Sequence, residues 1–268
     1  MIRKQVQLLS ACLWPGLALM ALLLLCELVV KMNLVSSYLL AAPSQVMDHM
    51  LTNIQSLRSH LYVTSAEALL GFFIAGFAAL CIGISFSVSR FLDKAFFPLL
   101  VALKCTPLVA LAPFLALGFS GNSIFLKAIF SSFICFFPII ISFRAGLNHV
   151  DREALDLFRS FSASNRKILV KLQLPSSLPH LFAGLKTAST FSVIGAVVGE
   201  FSLSDAGLGF YISEASNYGN TAAMYAAIFL LIILGLTFFG TIGLLYNLVS
   251  RIYRIDHNSS NSSPSKFN

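Results

Sequence analysis

Apolar residues along this chain come in long blocks, and no sustained repeat of helical period runs through them. The blocks cover roughly residues 11–31, 63–87, 95–118, 124–146, 181–203 and 223–249. Each supplies the ~20 mostly apolar residues that a helix needs to cross a bilayer. The pattern predicts an all-α membrane protein with six transmembrane helices. The third and fourth blocks are separated only by the turn-like GFSGNS, residues 118–123. Pro107 and Pro113 lie within the third, which predicts a kink or a break there. The first block follows a short basic start. It is long enough to span, and no small-x-small cleavage pattern follows it, so it reads as a retained helix and not a removed leader.

Two polar segments between the blocks are long. Residues 32–61 contain YLLAAPSQVMDHML, which predicts a short amphipathic surface helix beginning near Pro43. Residues 147–180 hold NHVDREALDLFRSF, with Asn148 and Asp151 as candidate caps. Ala154, Leu155, Phe158 and Phe161 recur at helical spacing on one side, with Arg152, Asp156 and Arg159 on the other. Ser162-Ala163-Ser164 gives the chain a place to turn and recap. A second helix is expected from about Asn165 to Leu174, ending at Pro175, which has no N–H to continue it. Such a helix–turn–helix docks in a groove of a partner protein or lies on lipid headgroups.

Composition agrees with the blocks. The 268 residues are 57% hydrophobic and 11% charged, where a soluble domain carries about 25% charged residues. The net charge of +7 is not a nucleic-acid signal, because the positives sit mostly in the loops. With the N-terminus inside, thirteen of the 18 basic residues fall in inside segments, and only Lys31 and Arg58 fall in outside loops. That bias places both ends in the cytoplasm. The five cysteines form no CxxC pair and read as packing residues in apolar runs. The phosphate loop G-x-x-x-x-G-K-[ST] is missing from the sequence, so this chain is not expected to hydrolyse ATP. HExxH and a Ser-His-Asp set are missing too, and nothing in the pattern calls for a metal or a cofactor.

A charge within a bilayer is costly, so ionisable residues inside the blocks are functional candidates. Glu200 lies deep in the fifth block, in GAVVGEF, either lining a path or bonded to a Ser or Lys of a neighbouring helix. Gly195 and Gly199, four apart, allow close helix approach. Lys104, just before Thr106-Pro107, either faces a path or pairs with Glu67 or Glu200. Glu67 reads as a cap or an interhelical bond near the outer end of the second span. Lys127 and Glu27, near span ends, read as snorkelling side chains. The phenylalanines, 25 in all, read as lipid-facing or packing residues.

The loop 147–180 resembles the EAA motif of ABC-transporter permeases, EAA-x3-G-x9-I-x-L-P. Asp156 takes the Glu position, Leu157 and Phe158 the Ala positions, and Ser162 the Gly position. Nine residues follow, then Leu172, Gln173, Leu174 and Pro175. Length matches without a gap; chemistry departs at Ala, Ala and Gly. The resemblance continues in APSQVMDHM (42–50), in residues 67–100 and 106–147, and most closely in LPSSLPHLFAGLKTASTFSVIGAVVGEFSLSDAGLGFYI (174–212). These stretches are similar to nitrate, sulfonate and taurine-type permeases.

That resemblance implies the type I ABC importer permease fold, with an N-terminal helix and external loop at 1–62, a permease domain at 63–250 and a polar cytoplasmic tail at 251–268. It implies that Asp156, Leu157, Phe158, Arg159, Ser162, Leu172, Leu174 and Pro175 couple to ATPase subunits, with Ser162 altering the docking geometry. On the charge argument above, Glu200, Lys104 and Glu67 are the candidates to line a translocation path. Gly207 and Gly209 would belong to an outer gate loop, residues 202–220. The implied partners are ABC ATPase subunits, a periplasmic or surface-tethered solute-binding protein and a second permease copy in a homodimer, within the inner membrane of a bacterium. VIGAVVGEF followed by AGLGFYI looks most like members taking up pyrimidine thiamin precursors or riboflavin. A small anion such as nitrate, sulfonate or taurine is the alternative cargo. A gradient-driven secondary transporter, or a membrane assembly protein, is the alternative outside this family.

Overall fold

The computed structural model describes residues 2–36, 38–107 and 124–253. Every regular element among them is a helix: α1 (Ile2–Lys31), α2 (Pro43–Thr52), α3 (Ile54–Val88), α4 (Arg90–Lys104), α5 (Ile124–Asn148), α6 (Arg152–Ser160), α7 (Asn165–Ile168), a π-helical turn (Leu169–Gln173), α8 (Leu174–Leu203), α9 (Leu208–Asn217) and α10 (Thr221–Tyr253). Among the described residues, four helices are long and apolar enough to cross a membrane: Ile54–Val88, Ile124–Asn148, Asn165–Phe201 and Thr221–Arg251. The first expected span falls within α1, a helix of 30 residues. The third begins in α4, which ends at Lys104, three residues before Pro107. The span from residue 108 onward, with Pro113 and the GFSGNS turn, lies outside the described residues.

Helix α5 is the centre of the bundle, packed between α3 and α8. Its Leu126, Ala128, Phe130, Ile139 and Ile140 are fully buried. In lipid no hydrophobic force draws helices together, so close packing and interhelical hydrogen bonds do that work. A Cβ added to Gly195 on α8 would lie 2.6 Å from Cα of Ser131 on α5, and one on Gly199 would lie 3.3 Å from Cα of Lys127. The two glycines thus let α8 close onto α5, as their spacing predicts. Ser131 Oγ donates to the Ser192 carbonyl at 2.9 Å across the same contact. The outer surfaces are apolar: Leu17, Met20, Leu24, Leu236 and Leu244 are all more than half exposed.

Some expectations need correction. The helix after Ser164 does not stop at Pro175; it runs on as one rod, Asn165–Phe201. The π-helical turn makes this possible. Leu174 N–H reaches back five residues to the Leu169 carbonyl, and the widened turn relieves the clash between the proline ring and the carbonyl four residues before it. Asp151 does cap α6, accepting from Glu153 N–H at 3.1 Å, whereas Asn148 is the last residue of α5. The segment 32–61 is less of a loop than expected, because α3 starts at Ile54. Helix α2 starts at Pro43 as predicted. Glu27 does not snorkel: its carboxylate receives Ser44 N–H at 3.0 Å and Ser44 Oγ–H at 2.7 Å, clasping α1 to the start of α2.

Candidate functional site: a presented helix and a buried charge cluster

Helix α6 stands at one end of the bundle, and none of its residues is buried. Leu157 is 57% exposed and Phe161, just past its end, 78% exposed. With Phe158, Ala163, Lys167 and Lys171 they line a cleft of about 330 Å³. The helix ends in a Schellman motif. Ser162 N–H donates to the Arg159 carbonyl at 2.9 Å and Ala163 N–H to the Phe158 carbonyl at 3.0 Å. The motif requires a left-handed residue, and Ser162 takes that place with φ +52°. The departure from Gly noted in the sequence therefore falls where glycine is favoured most. Ser164 restarts the chain, its Oγ accepting from Lys167 N–H at 3.4 Å.

The α6 end is tied to the spans at two points. Ser87 Oγ, near the end of α3, donates to Gln173 Oε1 in the π-helical turn at 2.9 Å. Arg144 of α5 grips Asp93 of α4 through Nε at 2.5 Å and Nη2 at 2.8 Å, and its guanidinium lies 3.8 Å from the Phe97 ring centroid. This bidentate arginine holds the Asp93 carboxyl below its ordinary range. Leu172, Leu174 and Pro175 are half-buried where the rod joins the bundle. Asp156 and Arg159 are exposed and pair loosely at 3.6 Å.

At the other end lies a buried cluster. Glu67 (α3), Lys127 (α5) and Glu200 (α8) are exposed by 0%, 2% and 1%. Lys127 Nζ is 2.7 Å from Glu67 Oε1, an ion pair whose angles fall short of a hydrogen bond. The same ammonium donates to Ser204 Oγ at 2.8 Å. Glu200 accepts from Thr64 Oγ1 at 2.6 Å and from Gly209 N–H at 2.5 Å. Thr64 Oγ1 in turn accepts from Leu208 N–H at 2.8 Å. Lys127 therefore does not snorkel. Glu200 matches the alternative in which a neighbouring helix satisfies it, with Thr64 as the partner in place of the expected Ser or Lys. Glu67 makes the interhelical contact expected of it.

Gly207 and Gly209 sit directly over Glu200. A Cβ on Gly209 would fall 2.8 Å from Glu200 Oε2, and Gly207 has φ +111°. The segment expected as a gate loop, 202–220, is mostly the helix α9.

Lys104 lies apart from this cluster and, among the described residues, pairs with neither Glu67 nor Glu200. It lines a cavity of about 500 Å³ with Phe133, Phe137, Pro138, Thr187 and Phe191. That volume is within the range of small-molecule sites. The sequence reading missed Lys127 as a structural ion, His60 and Thr64 as partners of Gly207 and Leu208, and the three phenylalanines as cavity walls. A signal existed for the second: His60, Thr64, Glu67 and Gly71 follow a helical spacing along α3.

Comparison with known proteins accords with this architecture. Residues 67–253 match the family of the binding-protein-dependent transport system inner membrane component. The formylaminopyrimidine transport permease of Halalkalibacterium halodurans is 32% identical over 88% of this chain and 94% of its own length. The riboflavin transport system permease of Chloroflexus aurantiacus is 30% identical over 89% and 91%. Among solved structures, a chain of the inward-facing MetNI methionine ABC transporter superposes with a TM-score of 0.60 at 17% identity, over 75% of this chain and 97% of that one. The fold is that of type I importer permeases, and the bundle belongs in a bacterial inner membrane as a multi-pass protein. This chain is a member of the binding-protein-dependent transport system inner membrane component family, the permeases of ABC transporters.

Proposed function

We propose that this chain is the permease subunit of an ATP-driven importer, moving a small solute, delivered by an extracytoplasmic binding protein, into the cytoplasm. The observation that carries the reading is α6: a capped amphipathic helix with no buried residue, joined by the short turn at 161–164 to a membrane-spanning rod that begins with α7 and the π-helical turn. Such a helix is built to be covered by a partner and to pass that partner's motion into the bundle. The partner is a pair of ABC ATPase subunits, which hydrolyse the ATP. Six spans with both termini in the cytoplasm put α6 on the ATPase side and residues 202–220 on the side of the binding protein. A second permease copy completes a homodimeric pathway, and the segment 202–220 forms its outer gate.

The cargo is a planar heterocycle of the pyrimidine or flavin class. Support comes from the two relatives above and from the cavity beside Lys104. Its three aromatic walls suit a flat ring, and its ammonium suits a carbonyl or an anionic substituent.

Affinity purification of the detergent-solubilised chain, wild type against Phe158→Asp, tests the role. An ATPase subunit is expected to co-purify with the wild type and to be lost or weakened in the variant, because a carboxylate placed in an apolar docking cleft must be desolvated. A wild-type chain that brings down no ATPase would sink the proposal.

A further inference from the structure

The first N–H groups of a helix have no partner within it. At the start of α9, three successive ones are taken by side chains of two other helices. Gly207 N–H donates to His60 Nδ1 at 3.0 Å, Leu208 N–H to Thr64 Oγ1 at 2.8 Å and Gly209 N–H to Glu200 Oε2 at 2.5 Å. His60 and Thr64 are one turn apart on α3, so one helix holds two of the three.

The three acceptors are not equivalent. A hydroxyl accepts at any pH, and the Glu200 carboxylate is buried beneath the segment. His60 is half-buried near the surface and accepts only while Nδ1 carries no proton. A protonated imidazole is a donor at both nitrogens, which would set donor against donor across the same 3.0 Å.

We infer that His60 is a positioning residue of the outer gate, holding residues 207–209 against α3 while neutral and releasing them when protonated. The inference rests on the reading of 202–220 as that gate. The ring's surroundings fix it in place. From α9, Phe210 and Tyr211 pack on it with centroids 6.2 Å and 5.2 Å away; burial pushes its pKa down, and the charge of Glu214 opposes that in part. From α2, His49 stands behind Tyr211, its Nε2 2.8 Å from the phenol oxygen. From α8, Glu200 lies behind Thr64, and α3 itself contributes Arg58, exposed two residues before the ring. Release follows acidification, because protonation removes the acceptor. Transport at the outer face would then depend on external pH through a group that never touches cargo.

Hydrogen–deuterium exchange of the full chain in lipid nanodiscs tests this, read over peptides covering 204–211 as protection factors at each pH. Between about pH 8 and about pH 4.5, a span wide enough for an imidazole that burial pushes below its ordinary range, the wild type is expected to lose protection by about tenfold, the worth of one hydrogen bond. His60→Gln, whose Oε1 accepts at both pH values, should keep the segment protected throughout. His49→Gln should follow the wild type. A wild-type protection factor that does not change with pH overturns the inference, whatever the variants do. So does a His60→Gln profile that falls with acid as the wild type's does, because the titrating group would then be Glu214, Glu200 or His49. The readout needs neither ATPase nor cargo, so a failure here is separate from a failure to co-purify the ATPase.

Discussion

At the scale of single residues, two positions show how local chemistry sets what the chain tolerates. Ser162 occupies the left-handed end of a Schellman motif, a conformation that costs a residue with a Cβ about 1 kcal/mol or more relative to glycine. Ser162→Gly is therefore expected to stabilise the chain by about 1 kcal/mol, seen as a higher thermal midpoint in detergent. An unchanged or lower midpoint would contradict the strain argument. Lys127 is the opposite case. It is the buried cation paired with the buried Glu67, and removing one partner of a buried pair typically costs about 3–5 kcal/mol. Lys127→Met should lower stability by an amount of that order. Adding Glu67→Gln should restore part of it, a coupling that a double-mutant cycle measures. Glu200 was visible as a candidate from its charge within an apolar run. Its partner Thr64 was not, because a hydroxyl in a span looks like any other small packing residue until the helices are brought together.

At the scale of elements, the apolar blocks announced the long helices, and the amphipathic stripe announced α6. Block length and helical period are local properties that packing does not overturn. The failure at Pro175 has an equally local cause. Proline stops a regular α-helix but not a π-helical turn, and nothing in the residues from Leu169 to Gln173 announces that turn. Lys127 was misjudged because distance along the chain from a span end does not reveal that Glu67 of α3 and Ser204, just past α8, meet the ammonium. The π-helical turn makes its own prediction. Pro175→Ala restores an N–H and removes the ring clash, so the segment should relax towards a regular α-helix. A Ser87→Cys/Gln173→Cys pair should form a cross-link readily with Pro175 present, since the native side chains already touch at 2.9 Å. The same pair should cross-link poorly with alanine at 175. Equal yields in both backgrounds would show that the proline does not hold the turn.

At the scale of the whole molecule, the family was legible because the spacing of the loop 147–180 and the stretch 174–212 survive where individual residues do not. The cargo was less so, since the cavity beside Lys104 is lined from α4, α5 and α8 and exists only once they pack. The molecule has a presented helix at one end and a held loop at the other, and one rod, Asn165–Phe201, connects the two. Motion passed from α6 across the turn at 161–164 would reach the carboxylate under Gly207 and Gly209 along that one rod. Because the π-helical turn closes on bonds five residues apart, it takes up one residue more than a regular turn without rotating the helix on either side. A version of this chain one residue shorter between Leu169 and Gln173 would close that turn as regular α-helix and keep its docking surface on the same side of the molecule. A residue lost anywhere else in the rod would swing that surface round by about 100°. The rod therefore has one place where its length can change without changing what it aims at.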